Sequence, residues 1–154
     1  MIRSILVVCL GNRCRSPMAA ALLRRSLPAC QVISAGIAPA VGALVDPRAG
    51  RLLALEGIAM DEHRAQRLNA AMVDFADLIL VMEAQQMEMV EQSFPAAHGR
   101  TFRLCESLDL DVPDPYGGTH GLFLLAFSLI RQGVDSWAGK IAGDASPAGF
   151  RETS

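Results

Sequence analysis

The 154-residue sequence predicts an α/β fold, a four-stranded parallel sheet flanked by helices in three layers. Three observations carry this. Four short apolar runs alternate with longer segments of helical periodicity. Two of the runs, SILVV (4–8) and DLILVM (77–82), are apolar on both faces, as in strands covered from both sides. No repeat, low-complexity tract or linker interrupts the alternation, so residues 1–154 are expected to form one domain. A chain of this length can bury about 70% of its unfolded surface, so the core needs no staples.

Each element has its own local reason. The first strand, 4–8, feeds CLGNRCRSP (9–17) and then a helix over 17–27, with Ser16 expected as N-cap and Pro17 at its first position. QVISA (31–35) reads as the second strand. DPRAGRLLALEG (46–57) opens on an Asp-Pro pair and stops at Gly57, as a short helix would. The third strand, 77–82, precedes a helix over 83–94 that ends before Pro95, and TFRLC (101–105) reads as the fourth strand. A last helix lies within 119–137, ending near Gly133 or running on to Trp137. Its segment GLFLLAFSLI (121–130) places Phe123, Phe127 and Ile130 on one stripe, with Leu122, Leu125 and Leu129 beside it and Leu124 opposite. A helix apolar almost all round is either deeply buried or a surface for self-association or for a partner, and a weak homo-oligomer is one expectation drawn from it.

Composition bounds the partners. Fourteen basic against sixteen acidic residues, a formal charge of −2, give no bulk attraction to nucleic acid or acidic membranes, so any anion site must be local. No apolar run approaches the roughly 20 residues that cross a bilayer, so the chain is not expected to be membrane-embedded. The start, MIRSILVVCLGN, lacks a secretory leader's longer apolar stretch and cleavage site, which predicts a cytoplasmic protein with reduced thiols. Cys9, Cys14, Cys30 and Cys105 are then catalytic or simply buried.

Cys9 falls at the carboxyl end of the first strand, where open parallel sheets bind ligands. Strand, tight glycine-containing turn and helix N-terminus together make an anion cradle, with backbone N–H groups and the helix's partial positive charge pointing inward. Gly11 and Asn12 are residue types that tolerate the positive φ such a loop requires. Arg15 can offer a planar fork to two phosphate oxygens. Cys9 beneath that anion is expected as a thiolate aimed at phosphorus. Ser16 can hydrogen-bond the sulfur and help it leave. Other readings compete: a nucleotide loop, although GxxxxGK[ST] is absent; a metal site, although no second cysteine or histidine pair completes it; or two core cysteines.

CLGNRCRSP carries Cys, five residues, Arg and Ser, and resembles the signature of the low-molecular-weight protein tyrosine phosphatase family. The resemblance extends through SAG (34–36), DPRA (46–49), HRA (63–65), DLILVME (77–83) and VPDPYGG (112–118). It looks most like the branch that accompanies bacterial exopolysaccharide tyrosine kinases. The resemblance implies catalysis without metal or other cofactor, and a tyrosine-phosphorylated protein, such as a bacterial tyrosine kinase, as partner. It places the nucleophile at Cys9, phosphate binding along Leu10, Gly11, Asn12, Arg13, Cys14 and Arg15, and the general acid at Asp114.

Asp114 also stands out locally, because Pro115 stiffens its loop, whereas Asp109 and Asp111 suit a solvated acidic turn. Ser34 and His63 match family positions that hydrogen-bond Asn12; alone, His63 reads as a helix-surface histidine. Leu10 and Tyr116 would wall the space for an aromatic ring. Cys14 could pair reversibly with Cys9 and protect it from overoxidation.

Arg13 departs from the family pattern, which places an uncharged side chain there. As a second cation at the mouth it would favour acidic phosphorylated segments; otherwise it is a solvated side chain. Two further activities share the resemblance. A phosphoarginine phosphatase typically carries threonine at the Arg13 position. A thiol-linked arsenate reductase wants two more cysteines after the third strand, where 83–94 has none. A binding module without turnover is disfavoured by the intact Cys9, Arg15 and Asp114.

Overall fold

The structure, a computed structural model, describes residues 1–143. Its strands are β1 (Ser4–Cys9), β2 (Gln31–Gly36), β3 (Leu78–Val81) and β4 (Thr101–Arg103). Its helices are α1 (Arg15–Ser26), α2 (Pro47–Ala54), α3 (Ala70–Phe75), α4 (Ala84–Ser93) and α5 (His120–Gly143). All strands are parallel, in the order β2-β1-β3-β4. The order reverses at β1, which runs from Ser4 beside Gln31 to Cys9 beside Gly36, so the switch point of the sheet lies directly above Cys9.

Alternation along β1 divides the core. Ile5, Val7 and Cys9 join Met18, Phe123 and Ile130 beneath α1 and α5. Leu6 and Val8 join Val73, Ile79, Val81 and Val90 beneath α3 and α4. Every residue of β1 and β3 is buried, which explains why those two runs carry no polar face. Asp46 caps α2 by accepting from the Arg48 N–H at 2.9 Å, as the Asp-Pro pair predicts.

Several boundaries differ from expectation, each for a reason. Helix α1 begins at Arg15, with Cys14 in the N-cap position. Pro17 then stands in the first turn, where no intrahelical donor is required. Ser16 does not cap the helix, because its hydroxyl serves the site described below. Strand β4 stops at Arg103, and Leu104 and Cys105 turn beneath α5. Helix α3 was not expected; it is six residues long, too short to show a period, and is capped by Asn69.

Helix α5 runs through both Gly133 and Trp137. Gly133 marks a close approach rather than an end: a Cβ there would lie 2.8 Å from the Leu104 carbonyl oxygen. The stripe of Phe123, Phe127 and Ile130 is buried as expected, but Leu124 and Leu125 are exposed. Deep burial therefore does not account for the apolar character of 121–130. Among the described residues, no helix is long and apolar enough to cross a membrane.

Candidate active site

Residues 10–14 must carry the chain from the end of β1 to the start of α1. Asn12 makes the reversal possible, with φ of 55°, a conformation asparagine tolerates better than most residues. Gly11 does not adopt positive φ, contrary to expectation; its missing side chain instead leaves the mouth of the pocket open.

The Asn12 side chain holds the loop from below. Its Nδ2 donates to Ser16 Oγ and Ser34 Oγ, both at 2.9 Å, and its Oδ1 accepts from the Gln66 N–H at 3.0 Å. The Gln66 amide can only donate, which fixes the orientation of the Asn12 side chain. His63 lies in the segment between α2 and α3, not on a helix, with Nε2 2.8 Å from the Asn12 carbonyl oxygen. A carbonyl only accepts, so Nε2 carries the proton. Burial pushes the His63 pKa down, with Arg24 and Arg64 acting in the same direction.

Cys9 is buried at the floor. Its Sγ accepts from the Asn12 N–H at 3.2 Å and lies 3.0 Å from Ser16 Oγ. Because Ser16 Oγ already accepts from Asn12, its own proton is free for the sulfur, with the Ala35 carbonyl a more distant alternative at 3.5 Å. Both contacts aim hydrogen-bond donors at the sulfur. Around it, the amides of Leu10, Gly11, Arg13 and Cys14 donate to no acceptor among the described residues. Backbone donors left without a partner are what an anion at this position would satisfy.

Arg15 is 2% exposed, and its Nη1 is held by Glu83 Oε2 at 2.6 Å and the Val112 carbonyl at 2.9 Å. Its Nη2 lies 3.6 Å from Asp114 Oδ2. The Asp114 side chain is 41% exposed, with Oδ1 accepting from the Tyr116 N–H at 3.1 Å. A thiol, a cradle of amides, a fixed guanidinium and a carboxyl at the rim thus share one pocket.

Over residues 4–146 the sequence matches the family described as low molecular weight phosphotyrosine protein phosphatase. The chain belongs to that family. It is an enzyme of the phosphoric monoester hydrolase class. A probable low molecular weight protein-tyrosine-phosphatase EpsP from Ralstonia nicotianae is 49% identical over 141 residues, covering 92% of this chain and 97% of that one. Vibrio vulnificus Wzb, solved in complex with benzylphosphonate, superposes with a TM-score of 0.87 at 36% identity, covering 91% of this chain and 99% of its own. The YwlE arginine phosphatase from Geobacillus stearothermophilus superposes with a TM-score of 0.86 at 35% identity, covering 92% and 94%.

The site residues expected from the sequence lie together at this pocket. Cys9, Leu10, Gly11, Arg13, Cys14, Arg15, Asp114 and Tyr116 line it, while Asn12, Ser16, Ser34 and His63 lie beneath. Arg13 lies along the mouth, its Nε donating to the Leu44 carbonyl at 3.1 Å, rather than pointing freely into solvent. Burial, with the nearby Cys9 and Asp114 charges, pushes the Cys14 thiol up to about 12, so it is neutral at physiological pH.

Four further supports were not identified from sequence. Glu83 fixes Arg15, and Gln66 fixes Asn12. Gly36 lets the loop sit against β2: a Cβ there would come 2.9 Å from the Leu10 carbonyl oxygen. The fourth is Arg103: Asp109 and Asp111 lie in an exposed turn, as expected, and Arg103 holds them there. It pairs with both and with Glu106, while Asp111 Oδ1 also accepts from the Ala84 N–H at 3.1 Å. Those bonds tie down the segment that delivers Val112 to Arg15 and Asp114 to the rim.

Proposed function

We propose that the chain hydrolyses phosphotyrosine in proteins through a phosphocysteine intermediate. The Cys9 thiolate attacks phosphorus as the ester P–O bond breaks, and Asp114 gives its proton to the departing phenolate oxygen. Loop amides and Arg15 hold the three equatorial oxygens as charge redistributes over them. In the second step the Asp114 carboxylate takes a proton from water, the water oxygen attacks phosphorus, and the S–P bond breaks. Ser16 donates to the returning thiolate, and inorganic phosphate leaves. The observation that carries this reading is the Cys9 sulfur beneath unpartnered amides, with Arg15 and Asp114 above it.

Leu10 and the exposed Tyr116 would flank the substrate ring, and Arg13 would favour acidic sequences around it. The cellular substrate proposed is a cytoplasmic tyrosine-phosphorylated protein, in particular a bacterial tyrosine kinase that controls polysaccharide export. The deciding experiment measures phosphate release from a phosphotyrosine peptide with chelator and reductant present, comparing wild type with Cys9→Ser. Turnover abolished by the substitution is expected. Absence of turnover by folded wild type refutes the substrate.

The likeness to an arginine phosphatase gives phosphoarginine a place as the competing substrate. Faster release from a phosphoarginine peptide than from phosphotyrosine would replace the reading. Arsenate reduction has less support, since 83–94 holds no cysteine and Cys105 is buried with its thiol donating to the Leu129 carbonyl.

A further inference from the structure

Helix α2 starts at the mouth of the pocket, where Asp46 is both a lining residue and its N-cap. At 1.5 Å per residue, Leu55 at its far end lies about 13 Å along the helix axis. Between these points the outer side of α2 and the first turn of α5 enclose a groove of about 580 Å³. Leu52 and Phe123 contribute to it, and Leu55 and Leu124 stand at its edge, 84% and 44% exposed. Of the two exposed leucines of 121–130, Leu124 belongs here.

Among the described residues, the charged and titratable groups of this groove are Arg48, Arg51 and His120, and no carboxylate lines it. Glu56, the neighbour of Leu55, is turned to Arg25 and Arg131. Arg48 connects the groove to the catalytic loop. Its guanidinium lies 4.4 Å from the Phe123 ring centroid, and Nη1 donates to the Gly118 carbonyl at 3.1 Å, four residues after Asp114. An apolar cleft whose charged lining among the described residues is Arg48 and Arg51, beside a helix that starts at the catalytic mouth, fits an acidic segment carrying one apolar side chain.

We infer that this groove docks the tyrosine-phosphorylated substrate itself, at an apolar residue beyond the phosphotyrosine within an acidic stretch. The inference rests on the proposed phosphotyrosine activity. An extended chain advances about 3.3 Å per residue, so the anchor falls about four to six residues from the phosphotyrosine. Arg51 supplies the long-range attraction and Leu55 and Leu124 the contact.

The test uses p-nitrophenyl phosphate and two acidic phosphotyrosine peptides, one with leucines four to six residues on either side and one with serines there. Wild type is expected to prefer the leucine peptide by about tenfold in kcat/KM, mainly through KM. Leu55→Asp should abolish that preference and leave p-nitrophenyl phosphate hydrolysis unchanged; Leu55 is too exposed for the change to disturb the core. Arg51→Glu, an independent variant, should raise KM for both acidic peptides and weaken their salt dependence.

Equal rates on the two peptides in wild type, or an unchanged preference in Leu55→Asp, overturn the docking site. So does a wild-type dimer in sedimentation that Leu55→Asp dissociates while neither variant alters peptide kinetics; the groove would then pair two copies. Failure of wild type on all three substrates would instead refute the phosphotyrosine reading.

Discussion

Glu83 offers the sharpest test of how the cradle is held, because it touches the catalytic machinery through one bond. Its Oε2 meets Arg15 Nη1 at 2.6 Å, a charge-assisted hydrogen bond worth about 1.5–3 kcal/mol. Removing one partner of a fully buried ion pair costs about 3–5 kcal/mol. Glu83 is 30% exposed, so water can partly replace it and the smaller range applies. If that energy serves to orient Arg15 at the transition state, Glu83→Ala lowers kcat by about 10- to 150-fold. Glu83→Gln keeps an oxygen for Nη1 and loses the charge, so its loss should be smaller, about fivefold.

Binding should move the other way. With the carboxylate gone, Arg15 has its whole charge available for a dianion, so inhibition by inorganic phosphate stays level or tightens while kcat falls. Steady-state kinetics on a phosphotyrosine peptide, phosphate inhibition constants and urea unfolding together make the assay. A Glu83→Ala variant that folds and keeps kcat within about twofold would show that the Val112 carbonyl alone holds Arg15, and the reasoning would fail.

Three other outcomes follow from the same geometry. Asn12→Ala removes three buried side-chain hydrogen bonds and keeps a positive φ, and should cost about 3 kcal/mol in urea unfolding; Asn12→Gly should recover about 1 kcal/mol of it by relieving the backbone. With the Cys14 thiol pushed up to about 12, alkylation between pH 5 and 9 should inactivate through Cys9 and leave Cys14 unlabelled by mass spectrometry, and Cys14→Ala should not shift the pH–rate profile. His63 has a folded-state pKa below its ordinary 6.5, so the folded protein binds fewer protons than the unfolded chain. Its contribution is full above about pH 6.5 and declines as pH falls through the folded value, so the stability gap between wild type and His63→Gln should shrink from pH 7.5 to 5.5.

What the sequence disclosed was what it keeps local. Cys9, Asn12, Arg15 and Ser16 lie within eight positions, and the turn chemistry that unites them is written in the same stretch. Asp114 was legible through Pro115. Glu83 and Gln66 act across 68 and 54 residues, and no local pattern pairs them with Arg15 and Asn12. A signal did exist for Glu83: an acid directly after the two-face-apolar run DLILVM stands at the carboxyl end of a central strand, where ligands gather. Gly133 misled because glycine punctuates helices more often than it admits a neighbouring chain. Asp109 and Asp111 form the exposed acidic turn expected, but their partner, Arg103, lies on the other side of it and no local pattern joins them.

The pattern of supports separates what is fixed in this enzyme from what can vary. The cradle is held from three directions: Asn12 by Ser34 and Gln66, Arg15 by Glu83 and Val112, and the Arg13 carbonyl by the Asp46 N–H at 2.8 Å. Donors so fixed need no reorganisation when charge develops on phosphorus, which is where electrostatic catalysis draws its advantage. None of these bonds involves the side chains at the rim. Leu10 and Tyr116 are exposed, and Arg13 reaches only a loop carbonyl. Substituting them should therefore redistribute kcat/KM among substrates while leaving phosphate inhibition nearly constant. On the proposed mechanism, the chemistry of phosphate transfer and the choice of what carries the phosphate are supported by different residues.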